Sequence, residues 1–376
     1  MTKYGLIPAV FLERENRFVI KTKIKNRTCR AYLPNPGRLW ELLLPGSLVY
    51  LKKFNSKGSF KFKVIGCNKG NHFVLLDTHY TNTIVSELIQ KGKIPFLKEF
   101  RVKNKEVKVN NSRIDLLLES NRGKEFFLEV KTCTLFGKCV AMFPDAVSKR
   151  ASKHLLELAE LAKKGYKAGV LFVVMNPEVE YFLPAYHIDP DFSANLLAFK
   201  NTLDIKAIAL SFKKGFKVDS VKELEIPFKV LEKEFKDAGS YLLVLHLSTN
   251  LSLTIGKNRW DLSPGYYIYV GSAMKGLESR IKRHLKKRKK QKWHIDYLSI
   301  HAKKIIPIPI RTTERLECKI ADKMKSISDE VIPNFGSTDC KCVSHLFYFK
   351  NDPILSTKFQ EILTYFRIDR LCSYLS

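Results

Sequence analysis

The sequence is short of acidic residues, and this shortage restricts what the protein can bind. Only 37 Asp and Glu stand against 66 Lys and Arg in 376 residues, which leaves a formal net charge of +29. No apolar run reaches the length of a transmembrane helix, and the first residues carry charges too early for a signal peptide. We therefore expect no membrane partner, and we expect a polyanionic partner, most simply nucleic acid.

Cysteine is present, but it lacks a regular spacing. The eight cysteines are scattered along the chain, unlike a disulfide framework, so we expect reduced thiols in a cytoplasmic protein. Cys340, Cys342 and His345 form a C-x-C-x-x-H segment. This segment lacks a convincing fourth ligand and the familiar C-x₂-C spacing of zinc sites. The sequence therefore does not predict zinc there.

The order of hydrophobic patterns predicts an α/β protein of several domains. Residues 1–80 hold five short strand patterns separated by turn residues, which is typical of a small OB-like β-barrel. Strands and helices alternate over 81–228, which indicates an α/β domain. A charge-rich linker is predicted at 229–238, a third α/β domain at 239–350, and a helical tail at 351–376.

Charged residues interrupt an apolar strand in the stretch FFLEVKTCTL of the second domain. Because strand side chains alternate between faces, Glu129 and Lys131 point the same way. Asp115 lies on a strand pattern fourteen residues before Glu129, which a hairpin would bring alongside. Two adjacent carboxylates repel unless a cation lies between them, and their oxygens suit Mg²⁺ or Mn²⁺. Glu87 is a further candidate carboxylate, and a surface salt bridge is the alternative interpretation.

Two other groups of residues could contact a phosphate backbone. Asn35 and Arg38 lie in the motif PNPGR, where ordinary turn chemistry would also place them. Lys149, Arg150 and His154 lie on a predicted helix. Arg150 and His154 are four residues apart and share a face, which could present cations to a phosphate. A solvated basic face explains this pattern equally well.

The segments around these residues resemble the sugar fermentation stimulation protein A family. The resemblance covers about residues 1–228 and includes LPNPGRLWELLLPGSLVYL, RIDLLLE, FLEVKTCTL and AMFPDAVSKRASKHLLELAEL. It implies a DNA-binding protein with an OB-like domain and a PD-(D/E)xK-like domain. On that resemblance Asp115 and Glu129 occupy metal-binding positions of the PD-(D/E)xK motif, and Lys131 occupies its catalytic position.

The third domain carries a second pattern that suits phosphodiester hydrolysis. Tyr241 and Tyr269 lie on two strands, and the next helix presents Arg280 and His284 at i, i+4 spacing. Glu317 lies on a later helix. The carboxylate could hold one divalent metal, the arginine could stabilise phosphate charge, and a tyrosine or the histidine could take a proton from water. Buried tyrosines in strands are more often ordinary core residues, so that interpretation stays open.

About residues 239–350 are similar to the GIY-YIG nucleases, most closely to their small Uri-type branch. The chain reads G-S-Y and Y-V-G where the family name has G-I-Y and Y-I-G, but the tyrosines and glycines are kept. The resemblance implies a catalytic set of two tyrosines, an arginine, a histidine and a metal-binding glutamate, here Tyr241, Tyr269, Arg280, His284 and Glu317. The matching late asparagine is not identified.

A basic run follows the first of these helices. Nine of the thirteen residues from Arg280 to Lys292 are Lys or Arg. Such a run is commonly a solvated helix end, but beside a nuclease-like helix we predict that it follows a DNA or RNA backbone. The residues predicted to bind nucleic acid are Lys286, Lys287, Arg288, Lys289, Lys290 and Trp293, the last by stacking on an unpaired base. His294 and Asp296 follow, in either a supporting or a structural role.

Two functions remain open from the sequence. The first is a DNA-binding protein with endonuclease activity that depends on Mg²⁺ or Mn²⁺. The second is a non-catalytic, sequence-nonspecific DNA-binding regulatory protein whose motif residues are structural. An RNA-processing factor would differ from the first only in its substrate. The complete residue sets at both predicted sites favour the first function.

Overall fold

The computed structural model describes residues 5–53, 60–109, 112–213 and 216–375. The chain divides into two compact units. The N-terminal unit spans Met1–Phe228 with Leu371–Ser376, and the C-terminal unit spans Lys229–Arg370. Among the described residues, no helix combines the length and the hydropathy that crossing a membrane requires.

The N-terminal unit begins with a small β-barrel. Its strands are β1 (Ile7–Asn16), β2 (Val19–Ile24), β3 (Arg27–Tyr32), β4 (Leu48–Lys53), β5 (Phe62–Lys69) and β6 (His72–Leu75). They pair in the order β3-β2-β1-β4-β5-β6, and β3 also pairs with β5, which closes five strands into a barrel. The predicted OB-like barrel is confirmed. The sequence patterns indicated β2 to β6 but not β1, because Glu13, Arg14 and Glu15 interrupt the alternation of that strand.

A mixed sheet follows the barrel in the same unit. Its elements, in chain order, are α1 (Thr78–Gln90), β7 (Phe100–Val109), β8 (Ser112–Ser120), β9 (Glu125–Cys133), β10 (Leu135–Phe136), β11 (Val140–Phe143), α2 (Lys149–Lys163), β12 (Lys167–Val174), β13 (Tyr181–Pro184), α3 (Pro190–Ala198), β14 (Asp204–Phe212) and β15 (Val218–Leu224). The main sheet has the order β15-β14-β12-β9-β8-β7, and β10, β11 and β13 form a second one. Strands β9, β12 and β14 are parallel, and α2 lies between β9 and β12 in the chain.

The barrel and the main sheet share one hydrophobic core, which runs from Leu6 to Leu224. The domain boundary that we predicted after residue 80 falls inside α1. Strand β9 lies in the middle of the main sheet, between β8 and β12. Its apolar residues Phe126, Phe127, Leu128 and Val130 are all buried, so the charged residues that they flank are held in a rigid position.

The C-terminal unit is built on an antiparallel sheet. Its elements are α4 (Phe228–Glu234), β16 (Gly239–Leu247), β17 (Leu251–Ile255), β18 (Asn258–Leu262), β19 (Gly265–Ala273), α5 (Leu277–Leu285), α6 (His294–Ser299), β20 (Lys304–Arg311), α7 (Glu317–Lys325), β21 (Glu330–Val331), β22 (Leu346–Phe349) and α8 (Thr357–Arg367). The sheet has the order β20-β16-β19-β22-β21, and β17 and β18 form a separate hairpin. Short 3₁₀ turns occupy Pro95–Leu97, Pro353–Leu355 and Asp369–Tyr374.

Two boundary predictions at the edges of this unit are wrong. The predicted linker at 229–238 contains most of α4, whose Leu231 is buried. Its Glu234 is also buried and pairs with Arg370. The predicted tail at 351–376 is not separate, because α8 buries Phe359 and other apolar residues within the unit. In both segments, a few apolar residues among many charges were enough to dock a helix.

The prediction that all eight cysteines are reduced is also wrong. Cys139 and Cys372 form a disulfide within the N-terminal unit. Their positions are 233 residues apart in the sequence, so no local spacing could indicate the pair. The other six cysteines are free thiols.

Candidate active sites

The β8–β9 hairpin brings Asp115, Glu129 and Lys131 together, as alternation and hairpin pairing predicted. Leu116 pairs with Leu128 in the ladder, so Asp115 and Glu129 occupy the next step on the two strands. Asp115 Oδ2 accepts a hydrogen bond from the Val130 backbone N–H at 2.9 Å, and Glu129 Oε2 accepts one from the Asp115 N–H at 3.3 Å. Lys131 Nζ donates to Glu129 Oε1 at 2.5 Å. Two carboxylates and one ammonium therefore share one place on the sheet.

The two carboxylates differ in their electrostatics. Burial, and then the neighbouring Glu129 charge, raise the pKa of Asp115 to about 6. Burial also opposes ionisation of Glu129, which is 2% exposed, but Lys131 and His154 outweigh it and lower the pKa of Glu129. The protein thus supplies enough positive charge for one carboxylate of this pair and too little for both. Oxygen ligands that face one another with uncompensated charge fit a divalent cation.

Helix α1 contributes to this site through a residue that we did not predict. Asn82 Nδ2 donates to Asp115 Oδ1 at 2.8 Å, and Thr81 accepts from Thr132 of β9 at 2.9 Å. Glu87, our candidate on this helix, is exposed and pairs with Lys91. The prediction for Glu87 is wrong because it lies on the opposite side of the helix from the face that packs against β9.

Helix α2 supplies a second partner for Glu129. His154 is 3% exposed, and its Nδ1 contacts Glu129 Oε1. Arg150 donates to the other ring nitrogen of His154 at 3.4 Å. The prediction that His154 lies on an exposed phosphate-binding face is therefore wrong, because helix packing turns it inward to orient Glu129. Lys149 and Arg150 are exposed, and their contact with nucleic acid stays a prediction.

The side chains of the PNPGR turn contact other groups of the protein. Asn35 is buried, and its Oδ1 accepts from the Gly37 N–H at 2.9 Å, which is turn chemistry. The Arg38 guanidinium lies 4.8 Å from the centroid of the Trp40 ring and is attracted to Asp145. The predicted contact of Asn35 with a phosphate is wrong, because the turn already engages its buried side chain. The contact of Arg38 with a phosphate stays a prediction.

In the C-terminal unit, the register of two strands explains the spacing of the tyrosine motifs. Tyr241 of β16 lies directly opposite Gly271 of β19. A Cβ atom on Gly271 would lie 2.5 Å from the hydroxyl oxygen of Tyr241 and 2.9 Å from Cε1 of Tyr269. The two rings are 6.4 Å apart, and both tyrosines are buried. Glycine is therefore required at 271 so that both rings fit on this face.

Tyr241 ends a chain of three hydrogen-bonded side chains. Asp296 accepts from Arg283, from the backbone N–H groups of Lys292 and Trp293, and from His284. These donors outweigh burial and lower the pKa of Asp296 to about 2. Because this ionised carboxylate accepts from His284 Nδ1 at 3.0 Å, Nε2 of the neutral ring accepts the Tyr241 O–H at 2.9 Å.

The neutral state of His284 follows from its position. The ring is 1% exposed, and burial lowers its pKa to about 4 despite the neighbouring Asp296. Burial also raises the pKa of Tyr241, which Arg280 opposes. The two side chains are therefore both neutral, with His284 Nε2 as the acceptor of the Tyr241 hydroxyl. The sequence left Asp296 with either a supporting or a structural role, and its hydrogen bond to His284 from α6 is the contact that a supporting role requires.

Glu317 lies at the start of α7. Burial raises the pKa of Tyr241 and Tyr269, and Glu317 lies close enough for its charge to raise both pKa values further. It accepts from Ser272 of β19, and its Oε1 lies 3.3 Å from His345 Nδ1. These two partners outweigh burial and lower its pKa. Its side chain remains 29% exposed, so the carboxylate is ionised and accessible. Arg280 attracts both Glu317 and Tyr241, which places the five predicted residues in one electrostatic cluster.

The basic run divides into exposed and engaged residues. Lys286, Arg288 and Lys290 are exposed. The prediction that Lys289 binds nucleic acid is wrong, because its Nζ donates to the His284 carbonyl at 2.5 Å and to Ser299 Oγ at 2.7 Å. Lys287 donates to the carbonyl of Ile300 at 3.0 Å. Buried or backbone-bonded ammonium groups of this kind hold the loop after α5 in place and leave fewer cations for phosphate.

Trp293 is also engaged within the unit. The guanidinium carbons of Arg280 and Arg283 lie 4.2 and 4.4 Å from its ring centroid, and the His284 ring lies against it at 5.6 Å. Two arginines thus already make cation–π contacts with the indole, and its stacking on an unpaired base stays a prediction. The late Asn334 is exposed, at a φ of +59°.

A closed barrel that precedes a mixed sheet with paired carboxylates defines the class of the N-terminal unit. Residues 12–76 match the SfsA N-terminal OB domain, and residues 79–215 match the sugar fermentation stimulation protein RE domain. Residues 240–367 match a domain of unknown function, DUF123. This third match carries no named activity, so the GIY-YIG assignment stays a prediction.

Individual relatives agree with these matches. The sugar fermentation stimulation protein homolog of Clostridium tetani is 38% identical over 207 residues, which are 54% of this chain and 90% of that protein. The homolog of Methanosphaera stadtmanae is 40% identical over 191 residues, 50% of this chain and 79% of that protein. The structure of Pyrococcus furiosus SfsA in complex with Ca²⁺ is 32% identical, with a TM-score of 0.56, and covers 60% of this chain and 97% of that chain. The chain belongs, through its N-terminal unit, to the sugar fermentation stimulation protein family.

Proposed function

We propose that the chain is a divalent-metal-dependent nuclease that acts on DNA through two sites, one in each unit. The observation that carries this proposal is the meeting of Asp115, Glu129 and Lys131 at one point of the β8–β9 hairpin. This hairpin lies inside the region that matches the sugar fermentation stimulation protein RE domain, and the chain is similar to an SfsA structure solved in complex with Ca²⁺. The formal charge of +29 supports a nucleic-acid substrate.

In the N-terminal site, Asp115 and Glu129 would hold Mg²⁺ or Mn²⁺ through carboxylate oxygens. When bound, the cation would supply Lewis-acid chemistry to a phosphate oxygen. Lys131 Nζ, beside Glu129, would stabilise the charge that develops on the phosphate or position the attacking water. His154 keeps Glu129 in the orientation that this requires, since it contacts the same oxygen as Lys131 does.

We propose that the C-terminal site is a GIY-YIG-type nuclease site and the more active of the two. Neutral His284 accepts a hydrogen bond from the Tyr241 hydroxyl. As the Tyr241 oxygen takes a proton from the attacking water, the hydroxyl proton would pass to His284 Nε2, so the pair would act together as the general base. Arg280 lies beside the cluster and would stabilise phosphate charge. Glu317 is ionised and accessible, and it would hold the divalent metal. Tyr269 lies near this carboxylate and would complete the catalytic set.

A cleavage assay with the full chain tests the proposal. Labelled single-stranded DNA, duplex DNA and RNA of one sequence are incubated with Mg²⁺, Mn²⁺ or EDTA. We expect cleavage of DNA with either metal and no cleavage with EDTA. DNA binding without cleavage under every metal would contradict the nuclease and support a non-catalytic DNA-binding protein. Preferential cleavage of RNA would instead place the protein in RNA processing.

A further inference from the structure

Four side chains with metal-binding atoms lie together in the C-terminal unit, next to the tyrosine site. One ligand atom from each residue lies within 4.8 Å of those from the other three. The four residues are Cys318, Cys340, Cys342 and His345. We propose that they bind one zinc ion in a closed, structural site of three cysteines and one histidine.

The spacing of the four atoms suits tetrahedral zinc. With Zn–S distances of about 2.3 Å, neighbouring ligands of a tetrahedral site lie roughly 3.7 Å apart. A cluster whose atoms are all within 4.8 Å needs only a small contraction to reach that geometry. Cys340 Sγ already lies 3.1 Å from His345 Nε2. Because four protein ligands complete the coordination, no position remains for water, which is typical of structural rather than catalytic zinc.

The hydrogen bonds of His345 prepare it as a ligand. Its Nδ1 lies 3.1 Å from the carbonyl oxygen of Val270, which can only accept. Nδ1 therefore carries a proton, and Nε2, which lies beside the Cys340 thiol, is the nitrogen left to bind a metal. Metal-bound histidines generally donate their other ring N–H to a carbonyl or carboxylate in this way. Glu317 Oε1, 3.3 Å from the same nitrogen, adds a carboxylate partner.

A cross-link would stabilise the irregular connection that carries these ligands. The described chain from residue 332 to 345, between β21 and β22, is irregular, and long connections without secondary structure are uncommon unless something holds them. This connection buries Phe335 and places Gly336 against the Tyr269 ring. It also carries three of the four ligands, whereas Cys318 belongs to α7. Zinc would therefore fasten the connection to the helix.

Exposure and charge agree with a metal site at the surface. Cys318 is exposed and Cys340 and Cys342 are half-buried, so an ion can reach the thiols. Three thiolates and one Zn²⁺ leave a single negative charge, and Lys319 and Lys341 neighbour the ligands in the sequence. A cysteine near cations loses its proton more readily than a cysteine in apolar surroundings.

Zinc binding would also affect the proposed nuclease site, a consequence that rests on the proposed function. Zinc would fix the His345 ring, and the ring would hold Glu317 through Nδ1. His345 is then a positioning residue for the Glu317 carboxylate. The zinc content of the protein tests the metal site without reference to cleavage, so the zinc site and the nuclease can fail independently.

Metal analysis of the full chain is the decisive experiment. The protein is purified under reducing conditions, loaded with Zn²⁺, desalted and analysed by mass spectrometry for metals. We expect about one zinc per chain. Cys318→Ser should lower the content roughly tenfold or more, since it removes a ligand. Cys318→His should retain zinc because Cys₂His₂ sites also bind it, and the exposed position has room for the ring.

A control and two contrary outcomes complete the design. Cys29→Ser, a half-buried cysteine of the barrel, should leave the zinc content unchanged. Thermal unfolding should show a lower Tm for zinc-stripped wild type, and Cys318→Ser should match the stripped protein with or without zinc. The proposal is overturned if loaded wild type holds no zinc, or if Cys318→Ser holds as much as wild type. A disulfide between two of the three cysteines in the zinc-loaded protein would overturn it as well.

Discussion

The two units compensate the charge of their buried carboxylates to different degrees. In the N-terminal unit, burial and the facing Glu129 raise the pKa of Asp115 to about 6, and burial raises the pKa of Glu41 to about 7. In the C-terminal unit, backbone and side-chain donors overcome burial and lower the pKa of Asp296 to about 2. The site of the first unit thus supplies positive charge for only one of its two paired carboxylates, and we propose that a bound cation compensates the other. The second already contains the donors that organise its site.

The largest expected effect is on the rate of DNA cleavage, which compares the contributions of the two sites. Glu317→Gln in the full chain should lower the rate of DNA cleavage by about 100-fold or more, since it removes a metal ligand rather than a group that only orients one. Glu129→Gln should leave most of the cleavage, because we assign the greater activity to the C-terminal site. Initial rates on one labelled DNA substrate with Mg²⁺ measure both changes.

Two exposed glutamates serve as matched controls for this comparison. Glu361→Gln on α8 and Glu106→Gln on β7 carry the same chemical change at exposed positions, and neither should alter the rate. DNA binding measured with EDTA should be similar for all four variants. A greater loss from Glu129→Gln than from Glu317→Gln would reverse our ranking of the two sites.

Asp296→Asn tests the internal donors of the C-terminal site. The variant loses the charge that holds His284 in its tautomer, so cleavage should fall roughly 10- to 100-fold. Stability at neutral pH should fall by about 2–3 kcal/mol, because a carboxylate whose pKa is lowered from 3.8 to about 2 stabilises the fold above pH 3.8. Asp261→Asn, at an exposed aspartate of β18, is the control. Unchanged cleavage would show that His284 needs no partner.

Glu41→Gln tests the shortage of charge in the N-terminal unit. Glu41 Oε1 is buried and has no hydrogen-bond partner among the described residues. Its pKa is raised from 4.5 to about 7, so its contribution to stability is fully present below pH 4.5 and is lost as the pH rises through 7. At pH 8 the variant should be more stable than wild type by about 1–3 kcal/mol.

Denaturant unfolding at several pH values measures this difference. The gain should disappear below pH 4.5, where the wild-type carboxyl is protonated in both states. Glu106→Gln, at an exposed position, should show no such dependence on pH. A Glu41→Gln variant that is less stable than wild type at pH 8 would mean that the carboxylate is well compensated.

A smaller effect is expected when Mg²⁺ is added to the N-terminal site. In a Glu317→Gln background, which silences the other site, Mg²⁺ at ten times its Kd should stabilise the fold by about 1.4 kcal/mol. This corresponds to a rise in Tm of roughly 3–6 °C for a unit of this size. Asp115→Asn and Glu129→Gln in the same background should gain much less. Equal gains in all three proteins would leave these carboxylates with a structural role.

The smallest effect concerns the basic run of the C-terminal unit. Lys286→Ala or Arg288→Ala should each make the slope of log affinity against log salt for duplex DNA less negative by about 0.9. Lys289→Ala should leave the slope unchanged and lower the stability, because its ammonium bonds to Ser299 and to a backbone carbonyl. Affinities at several salt concentrations between about 50 and 200 mM measure the slopes. Equal slopes for the Lys286 and Lys289 variants would contradict the division of the run.

Local patterns were enough to predict which of these side chains meet in each unit. The period of a strand placed Glu129 and Lys131 on one face, and the short connection to β8 brought Asp115 beside them. On α5, the i, i+4 spacing put Arg280 and His284 on the same side, and both interact with Tyr241. These relations depend on the periods of strands and helices over a few residues, and such periods can be read directly from a sequence.

Predictions failed where the outcome depended on how one element packs against another. Nothing in the period of α1 shows which side meets β9, so Asn82 contacts the site and Glu87 does not. The charges of Lys287 and Lys289 suggested phosphate contacts, but both ammonium groups turn back onto carbonyls of their own unit.

By itself, the sequence determined the basic character of the protein, its strand and helix periods, and the residue types available for metal and phosphate chemistry. Tertiary structure alone decided which side chains become partners. Cys318 joins the three later ligands because α7 packs beside the connection that carries them, and Asp296 reaches His284 because α6 folds against α5. Such contacts arise between residues far apart in the chain, and they depend on the summed packing of whole elements rather than on any local repeat.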